Sequence, residues 1–118
     1  AKNMHFWLHS CGNNTPLMEQ LIEAGVDVFH PVQKGCMDAA ETVRRFGDRI
    51  TFLAGIDVQD LLPNGTPEQV RAEIWQMKKT FDPNGRGMLL GMGNGILTDT
   101  PLENIQAALD AIFSDQQI

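Results

Sequence analysis

The fold is decided by the stretch Met4-His5-Phe6-Trp7-Leu8-His9-Ser10-Cys11-Gly12, an apolar run that ends in polar residues just before a helix start at Asn14-Thr15-Pro16. The apolar run predicts a β-strand, and side chains two residues apart on a strand leave the same face. His9 and Cys11 are therefore expected to project together into one space at the strand end. An imidazole beside a thiol is a candidate metal site, and strand ends carry the chemistry of α/β folds.

The rest of the chain repeats the same order of strand, loop and helix. Continuous apolar runs predict strands at 4–9, 26–30, 50–57 and 88–94. Because such runs suit strands that are covered on both faces, we expect the sheet to be buried on both sides. Apolar residues that recur at three and four predict helices with one inward stripe each: Leu17, Leu21 and Ala24; Ala40, Val43 and Phe46; Val70, Ile74, Met77 and Phe81; and Ile105, Ala108, Leu109 and Ile112.

The helix boundaries are well marked in the sequence. A Thr cap followed by Pro and a returning Gln or Glu is typical of a helix start. Glycines and a Pro-Asn-Gly turn are typical of helix ends. Starts are predicted at Thr66-Pro67-Glu68-Gln69, Thr100-Pro101-Leu102-Glu103, Thr15-Pro16 and Asp38-Ala39-Ala40-Glu41, and ends at Gly25, Gly47 and the turn at 82–85.

This order of elements predicts an α/β fold with a parallel sheet and right-handed crossovers. Its four consecutive βα units make half of a TIM-like (β/α)8 barrel, whose usual size is about 250 residues. Residues 1–118 are expected to form a single domain that is the C-terminal part of such a barrel. Alternatively, the chain pairs with a second copy of itself or forms a small open sheet. Half a barrel has two unpaired edges, so we expect this chain alone to self-associate.

Composition excludes several classes of protein. The chain has 118 residues, 42% of them hydrophobic, and a formal net charge of -6, which argues against a nucleic-acid binder. Its apolar runs are far shorter than the ~20 residues of a membrane span, and it shows no leader, so we expect a soluble cytoplasmic protein. Cys11 and Cys36 are expected to be free thiols or metal ligands rather than a disulfide.

The loop sequences resemble those of one known family, the uroporphyrinogen decarboxylase superfamily. The resemblance is to the C-terminal half of its members. The likeness covers nearly the whole chain and keeps order and spacing. It is carried by the stretches His9-Ser10-Cys11-Gly12-Asn13, Gly25-Val26-Asp27-Val28, Pro31-Val32-Gln33, Gly35-Cys36-Met37-Asp38, Phe46-Gly47-Asp48, Gly55-Ile56-Asp57-Val58-Gln59, Leu62-Pro63-Asn64-Gly65-Thr66-Pro67-Glu68 and Thr100-Pro101-Leu102-Glu103-Asn104-Ile105.

The resemblance implies a (β/α)8 barrel and one of two activities, since the superfamily contains porphyrinogen decarboxylases and zinc-dependent, corrinoid-linked methyltransferases. It implies that the arginines and key aspartate of the decarboxylases belong to a first half outside this sequence. Where a decarboxylase is expected to have a histidine after the last strand, this chain has Asn94, which cannot shuttle protons near neutral pH. The methyltransferases pair a His-x-Cys motif with a later Cys; His9 and Cys11 match the motif, and no cysteine follows Cys36.

A catalytic zinc site needs three protein ligands and one open position. His9 and Cys11 supply two, and the third is expected from a neighbouring strand end. The candidates are His30, Cys36 and, as a hard ligand, Asp57. In a methyltransferase of this kind the open position would hold a thiol, whose thiolate attacks a corrinoid-bound methyl group.

Polar residues after the third and fourth strands complete the predicted site. Asp57 and Gln59 share a face beyond Gly55, and they are expected to hydrogen-bond a substrate amide or an imidazole. The alternative is that Asp57 satisfies backbone donors of its own loop. We assign catalytic roles to Asp57 and Asn94 and substrate binding to Gln59 and Gly93. Gly93 and Asn94 belong to a glycine-rich loop, which we expect to be flexible and to lie over a pocket.

Together these features favour methyl transfer between a corrinoid-bound methyl group and a zinc-activated thiol. Uroporphyrinogen decarboxylation, the stepwise decarboxylation of a tetrapyrrole in porphyrin biosynthesis, is the alternative, and a non-catalytic α/β module that binds a tetrapyrrole is the third reading. The expected partners are a small-molecule or tetrapyrrole substrate and a corrinoid protein. The activity is expected of a longer chain, with this piece alone inactive.

Overall fold

A computed structural model describes residues 3–115 and shows a four-stranded parallel sheet alternating with helices. The strands are β1 (Trp7–His9), β2 (Val28–His30), β3 (Thr51–Ile56) and β4 (Leu89–Met92). They pair in chain order, each parallel to the next. The predicted fold of four consecutive βα units is confirmed, and each strand lies within its predicted apolar run.

Helices follow every strand. The helices are α1 (Met18–Glu23), α2 (Ala39–Phe46), α3 (Leu61–Asn64), α4 (Pro67–Phe81) and α5 (Leu102–Phe113), and a single 3-10 turn at Thr15–Leu17 precedes α1. The sequence did not predict α3, because four residues are too few to show a helical period. None of the helices in the described part of the chain is long and apolar enough to cross a membrane.

Two predicted helix caps are present. The Thr66 hydroxyl accepts from the Gln69 amide at 3.2 Å, while the Gln69 side chain accepts from the Thr66 amide at 2.8 Å. This reciprocal pair is the capping box that the sequence predicted at the start of α4. The Asp38 carboxylate likewise accepts from the Glu41 amide at the start of α2.

The other two predicted caps are wrong. Thr15 lies inside the 3-10 turn, and its side chain caps no helix. Helix α5 begins at Leu102 with Pro101 in the cap position, one residue later than a Thr100 cap requires. The buried Thr100 hydroxyl consequently has no hydrogen-bond partner.

The core consists of two clusters. One joins β3, α4 and α5 around residues such as Ile56 and Ile74, and the other joins α1, β2 and α2 around Phe29 and Phe46. Four of the predicted inward positions are wrong: Leu17 is 53% exposed and Leu109 is 40% exposed, and Ala24 and Ala40 are exposed as well. The tighter 3-10 turn shifts the buried position to the next residue, Met18, and small side chains line the buried face of α5, at Ala107, Ala108 and Ala111.

The expectation that all strands are buried on both faces is also wrong. Trp7 on the edge strand β1 is 56% exposed, and Leu89 on the opposite edge strand β4 is 36% exposed. In a closed barrel both side chains would meet a neighbouring strand or the packed interior. The open edges therefore explain the exposed apolar surface.

We expect purified chain to form oligomers at micromolar concentration, because two unpaired parallel edges and their apolar side chains favour strand pairing between copies. Light scattering would measure the average mass. A Trp7→Lys variant should shift that mass toward the monomer. Phe113→Lys, which changes an 81% exposed aromatic residue on α5, is the matched control and should leave it unchanged. A monomeric parent chain with cooperative unfolding would contradict this expectation.

Candidate functional site

The carboxyl ends of β1 and β2 bring two histidines and a cysteine together. The strands pair with His9 opposite His30, so both imidazoles leave the same face of the sheet. Their Nδ1 atoms lie 2.6 Å apart, a hydrogen-bond distance. The Cys11 Sγ lies 3.5 Å from the other ring nitrogen of His9, Nε2.

The positions of the ring protons follow from the backbone carbonyl at the end of β4. His30 Nε2 lies 2.8 Å from the Met92 carbonyl oxygen. A carbonyl only accepts hydrogen bonds, so we assign the proton to His30 Nε2, and a neutral His30 must then accept at Nδ1. His9 accordingly donates from Nδ1, which leaves the lone pair of its Nε2 facing Cys11.

His30 is held in the neutral form that this arrangement requires. Burial lowers the pKa of His30 below its ordinary value of 6.5, and a positive charge on His9 would lower the pKa further. The hydrogen bond to the Met92 carbonyl acts in the opposite direction but does not outweigh burial. His30 is therefore uncharged at neutral pH, as an acceptor at Nδ1 must be.

Gly55 allows the ends of β2 and β4 to meet across β3. A Cβ atom at this position would lie 2.4 Å from Pro31 Cβ and 2.7 Å from Gly93 Cα, so no larger residue fits. The Gly55 amide donates to the Pro31 carbonyl, and the Gly93 amide donates to the Ile56 carbonyl. This close approach is what puts Met92 within reach of His30.

A cavity of about 480 Å³ lies at these strand ends. Predicted site residues Cys11, Asp57, Gln59, Gly93 and Asn94 line it. The Asn94 amide nitrogen faces the Cys11 sulfur at 3.8 Å, at the outer limit of a hydrogen bond to sulfur. The cavity therefore gathers residues from the loops after all four strands.

The charged groups of the cavity are few. Lys34, Asp57 and Asp99 line it. The Lys34 ammonium is 2.7 Å from the Glu73 carboxylate, and this pair neutralises it. Within the described residues, the cavity thus offers an incoming anion no cation that lacks a partner.

The Asp57 carboxylate accepts hydrogen bonds from backbone amides of its own loop. One oxygen accepts from the amides of Gln59 and Asp60, and the other accepts from Leu61 at the start of α3. This arrangement matches the alternative given above, in which Asp57 satisfies the backbone donors of its own loop. The catalytic role assigned to Asp57 stays a prediction.

Two of the predicted metal ligands lie apart from Cys11. His30 contacts His9 and Met92 through its two nitrogens, behind His9 as seen from the sulfur. Cys36 is an exposed free thiol in the turn after Gln33, outside the cavity lining. Within residues 3–115, no three His, Cys, Asp or Glu side chains are gathered so that they could hold one metal ion. The assignment of these residues as ligands stays a prediction.

Sequence reasoning missed two side chains that hold the loop after β1. Gln33 accepts from the Gly12 amide at 2.7 Å and donates to the Gln59 side chain at 3.3 Å. Asn14, which we took as part of a helix start, donates to carbonyls of the preceding loop. Asn14 follows Cys11 by three residues, which was the available signal for it, but an amide side chain has no spacing rule that predicts its partners, and Gln33 lies beyond the next strand.

Known proteins are similar to this chain over most of its length. A family model described as uroporphyrinogen decarboxylase (URO-D) matches residues 1–114. A methylated-thiol–coenzyme M methyltransferase of Methanosarcina mazei is 31% identical over 105 residues, which are 88% of this chain and 26% of that protein. A uroporphyrinogen decarboxylase of Dechloromonas aromatica is 30% identical over 82 residues, which are 70% of this chain and 22% of that protein.

A solved structure described as a methyltransferase from Methanosarcina mazei has the same fold over most of the chain. It superposes with a TM-score of 0.70 and 25% sequence identity, over 92% of this chain and 31% of that chain. The chain therefore spans about a quarter of the length of the curated relatives it matches. Four successive parallel βα units and a family match over nearly every residue lead to one conclusion: the chain belongs to the uroporphyrinogen decarboxylase family.

Proposed function

We propose that this chain is part of a methyltransferase in which His9 and Cys11 are two ligands of a zinc ion. The observation that supports this is the 3.5 Å separation between Cys11 Sγ and His9 Nε2. Zinc–sulfur and zinc–nitrogen bonds of about 2.3 and 2.0–2.1 Å, at a tetrahedral angle, put two such ligands about 3.5–3.6 Å apart. The residues present therefore fit two corners of a zinc site.

The hydrogen bonds behind His9 support the same proposal. Metal-bound histidines usually donate their other ring N–H to a neighbouring acceptor, which fixes the ring and raises its basicity. His9 does this through Nδ1 with His30 as acceptor, and Met92 holds His30 in turn. Because no third His, Cys, Asp or Glu side chain of the described residues is gathered with His9 and Cys11, we propose that the third ligand comes from outside residues 3–115.

When bound, zinc would keep a substrate thiol as thiolate near neutral pH. The chain's own residues would hold and orient that thiol: the cavity at the strand ends receives it, and the amides of Gln59 and Asn94 offer hydrogen bonds. We propose a corrinoid-bound methyl group as the donor. A bound corrinoid would supply the methyl group, and the thiol held in the cavity beside Cys11 would accept that group and give its proton to solvent.

Uroporphyrinogen decarboxylation is the second candidate, because relatives of that name are up to 32% identical to this chain. The approach of Cys11 to His9 favours methyl transfer over it, because a thiolate beside an imidazole is a pair of zinc ligands. Zinc-independent release of carbon dioxide from uroporphyrinogen by a longer protein that contains this chain would support the second candidate instead.

We expect the purified chain to bind one zinc ion through His9 and Cys11, with water in the position of the third ligand, and Cys11→Ser should weaken the affinity at least about 100-fold because it removes a thiolate ligand. Elemental analysis after dialysis gives the stoichiometry, and competition with a chromophoric chelator gives the affinity. Cobalt(II) is a spectroscopic probe, since a sulfur ligand adds a charge-transfer band.

Cys36→Ser is the matched control for this experiment, because it removes the other exposed thiol, which lies outside the cavity lining. It should keep the full affinity and the cobalt band. A parent chain that is folded and binds no zinc, or equal losses in the two variants, would contradict the proposal.

A second prediction concerns the pH dependence of stability in the metal-free chain. Because the folded-state pKa of His30 lies below its unfolded value of 6.5, the unfolded chain binds more protons between these two values. The contribution of His30 is complete above about pH 6.5 and is lost as the pH falls through the folded pKa. Urea unfolding in EDTA from pH 8 to pH 5 measures this loss.

His30→Gln should flatten that part of the pH profile, since glutamine does not titrate. His5→Gln is the control, because the His5 side chain is 82% exposed, precedes β1 and does not line the cavity. It should leave the profile of the parent unchanged. The same acid-dependent fall in the parent and in His30→Gln would show that His30 is not held neutral by the fold.

A further inference from the structure

We infer that Asn14 is the positioning residue that directs the Cys11 side chain toward His9. The side-chain nitrogen of Asn14 donates to the carbonyls of Ser10, Cys11 and Gly12, at 3.1, 3.2 and 3.4 Å. Its oxygen accepts from the Ser10 hydroxyl at 3.0 Å. As far as it concerns a metal ligand, this inference rests on the function proposed above.

Two of the hydrogen bonds of Asn14 fall on the peptide groups that flank Cys11. The Ser10–Cys11 peptide is held by Asn14 at its carbonyl. The Cys11–Gly12 peptide is held on both edges, by Asn14 at the carbonyl and by Gln33 at the Gly12 amide. Two fixed peptide planes leave the Cα between them little freedom, so the direction of the Cys11 Cβ is set.

The backbone after Cys11 agrees with a loop that is held in one conformation. Gly12 has φ of +85°, a value that L side chains rarely adopt. A Cβ there would meet no atom within 4 Å, so glycine is required by the backbone conformation and not by a lack of space. The loop turns sharply at Gly12 and returns to Asn14.

The side chain of Asn14 does not cap the helical turn that it precedes. It makes no side-chain cap with the 3-10 turn. The neighbouring Asn13 does serve the helix start, since its side-chain oxygen accepts from the Thr15 amide at 3.1 Å. Asn14 is 7% exposed, and all its side-chain contacts lie in the loop that carries Cys11.

The two adjacent asparagines provide a matched experiment. Asn14→Asp keeps the size of the side chain but turns a carboxylate oxygen toward three carbonyls, so the loop must open. Asn13→Asp makes the same change of charge one residue away and keeps its single acceptor contact. Both are made in a Cys36→Ser background, where Cys11 is the sole thiol.

The first readout is independent of any metal: the iodoacetamide alkylation rate of Cys11, with and without a His9→Asn change. If Sγ lies beside His9, this change should alter the rate at least about fivefold in the parent and in Asn13→Asp. In Asn14→Asp the effect should shrink below about twofold. The second readout is zinc affinity, which should fall about tenfold or more in Asn14→Asp alone.

Each outcome decides between alternatives. Persistence of the His9 effect on alkylation in Asn14→Asp would overturn the inference. If Asn14→Asp lacks cooperative unfolding, Asn14→Ser, which is neutral and too short to reach three carbonyls, replaces it with the same expected results. A parent chain that shows the His9 effect but binds no zinc would remove the proposed function and leave the positioning role of Asn14 intact.

Discussion

The carbonyl oxygen of Met92 has no proton to give, and the polarity of the site follows from this. His30 must donate to it, and must therefore accept from His9 on its other nitrogen when it is neutral. The lone pair of His9 Nε2 is then left facing the sulfur of Cys11. A main-chain carbonyl on β4 thus sets, through two imidazoles, the protonation of a nitrogen on β1. Burial lowers the pKa of His30 and so keeps the central imidazole neutral.

This proton order depends on the geometry of the parallel sheet. The register between β1 and β2 puts the two histidines side by side, and the missing side chain of Gly55 lets the loops after β2 and β4 close over β3. The same closure makes the floor of the cavity. Asn14 and Gln33 then hold the loop after β1, so that Cys11 completes the arrangement from the open side.

The sequence predicts the fold well, because each βα unit has its own apolar run and helix-start pattern within a short stretch of chain. Continuous apolar runs located all four strands, and the capping box at Thr66 located α4. It failed where a tertiary contact or a turn type decides: the 3-10 turn moved the buried position from Leu17 to Met18, and Pro101 displaced the expected Thr100 cap. For the site, alternation along a strand put His9 and Cys11 together. The roles of Asn14, Gln33 and the Met92 carbonyl depend on contacts between distant loops, which no local pattern encodes.

The central claim is the direction of the proton chain, and nuclear magnetic resonance reads it directly. Long-range correlations between ring protons and side-chain nitrogens, recorded on the metal-free chain at pH 8, distinguish the two tautomers of each histidine. The account predicts that His30 carries its proton on Nε2 and His9 carries its proton on Nδ1. A His9 protonated on Nε2 would contradict it, because that nitrogen would then have no lone pair to offer a metal ion beside Cys11.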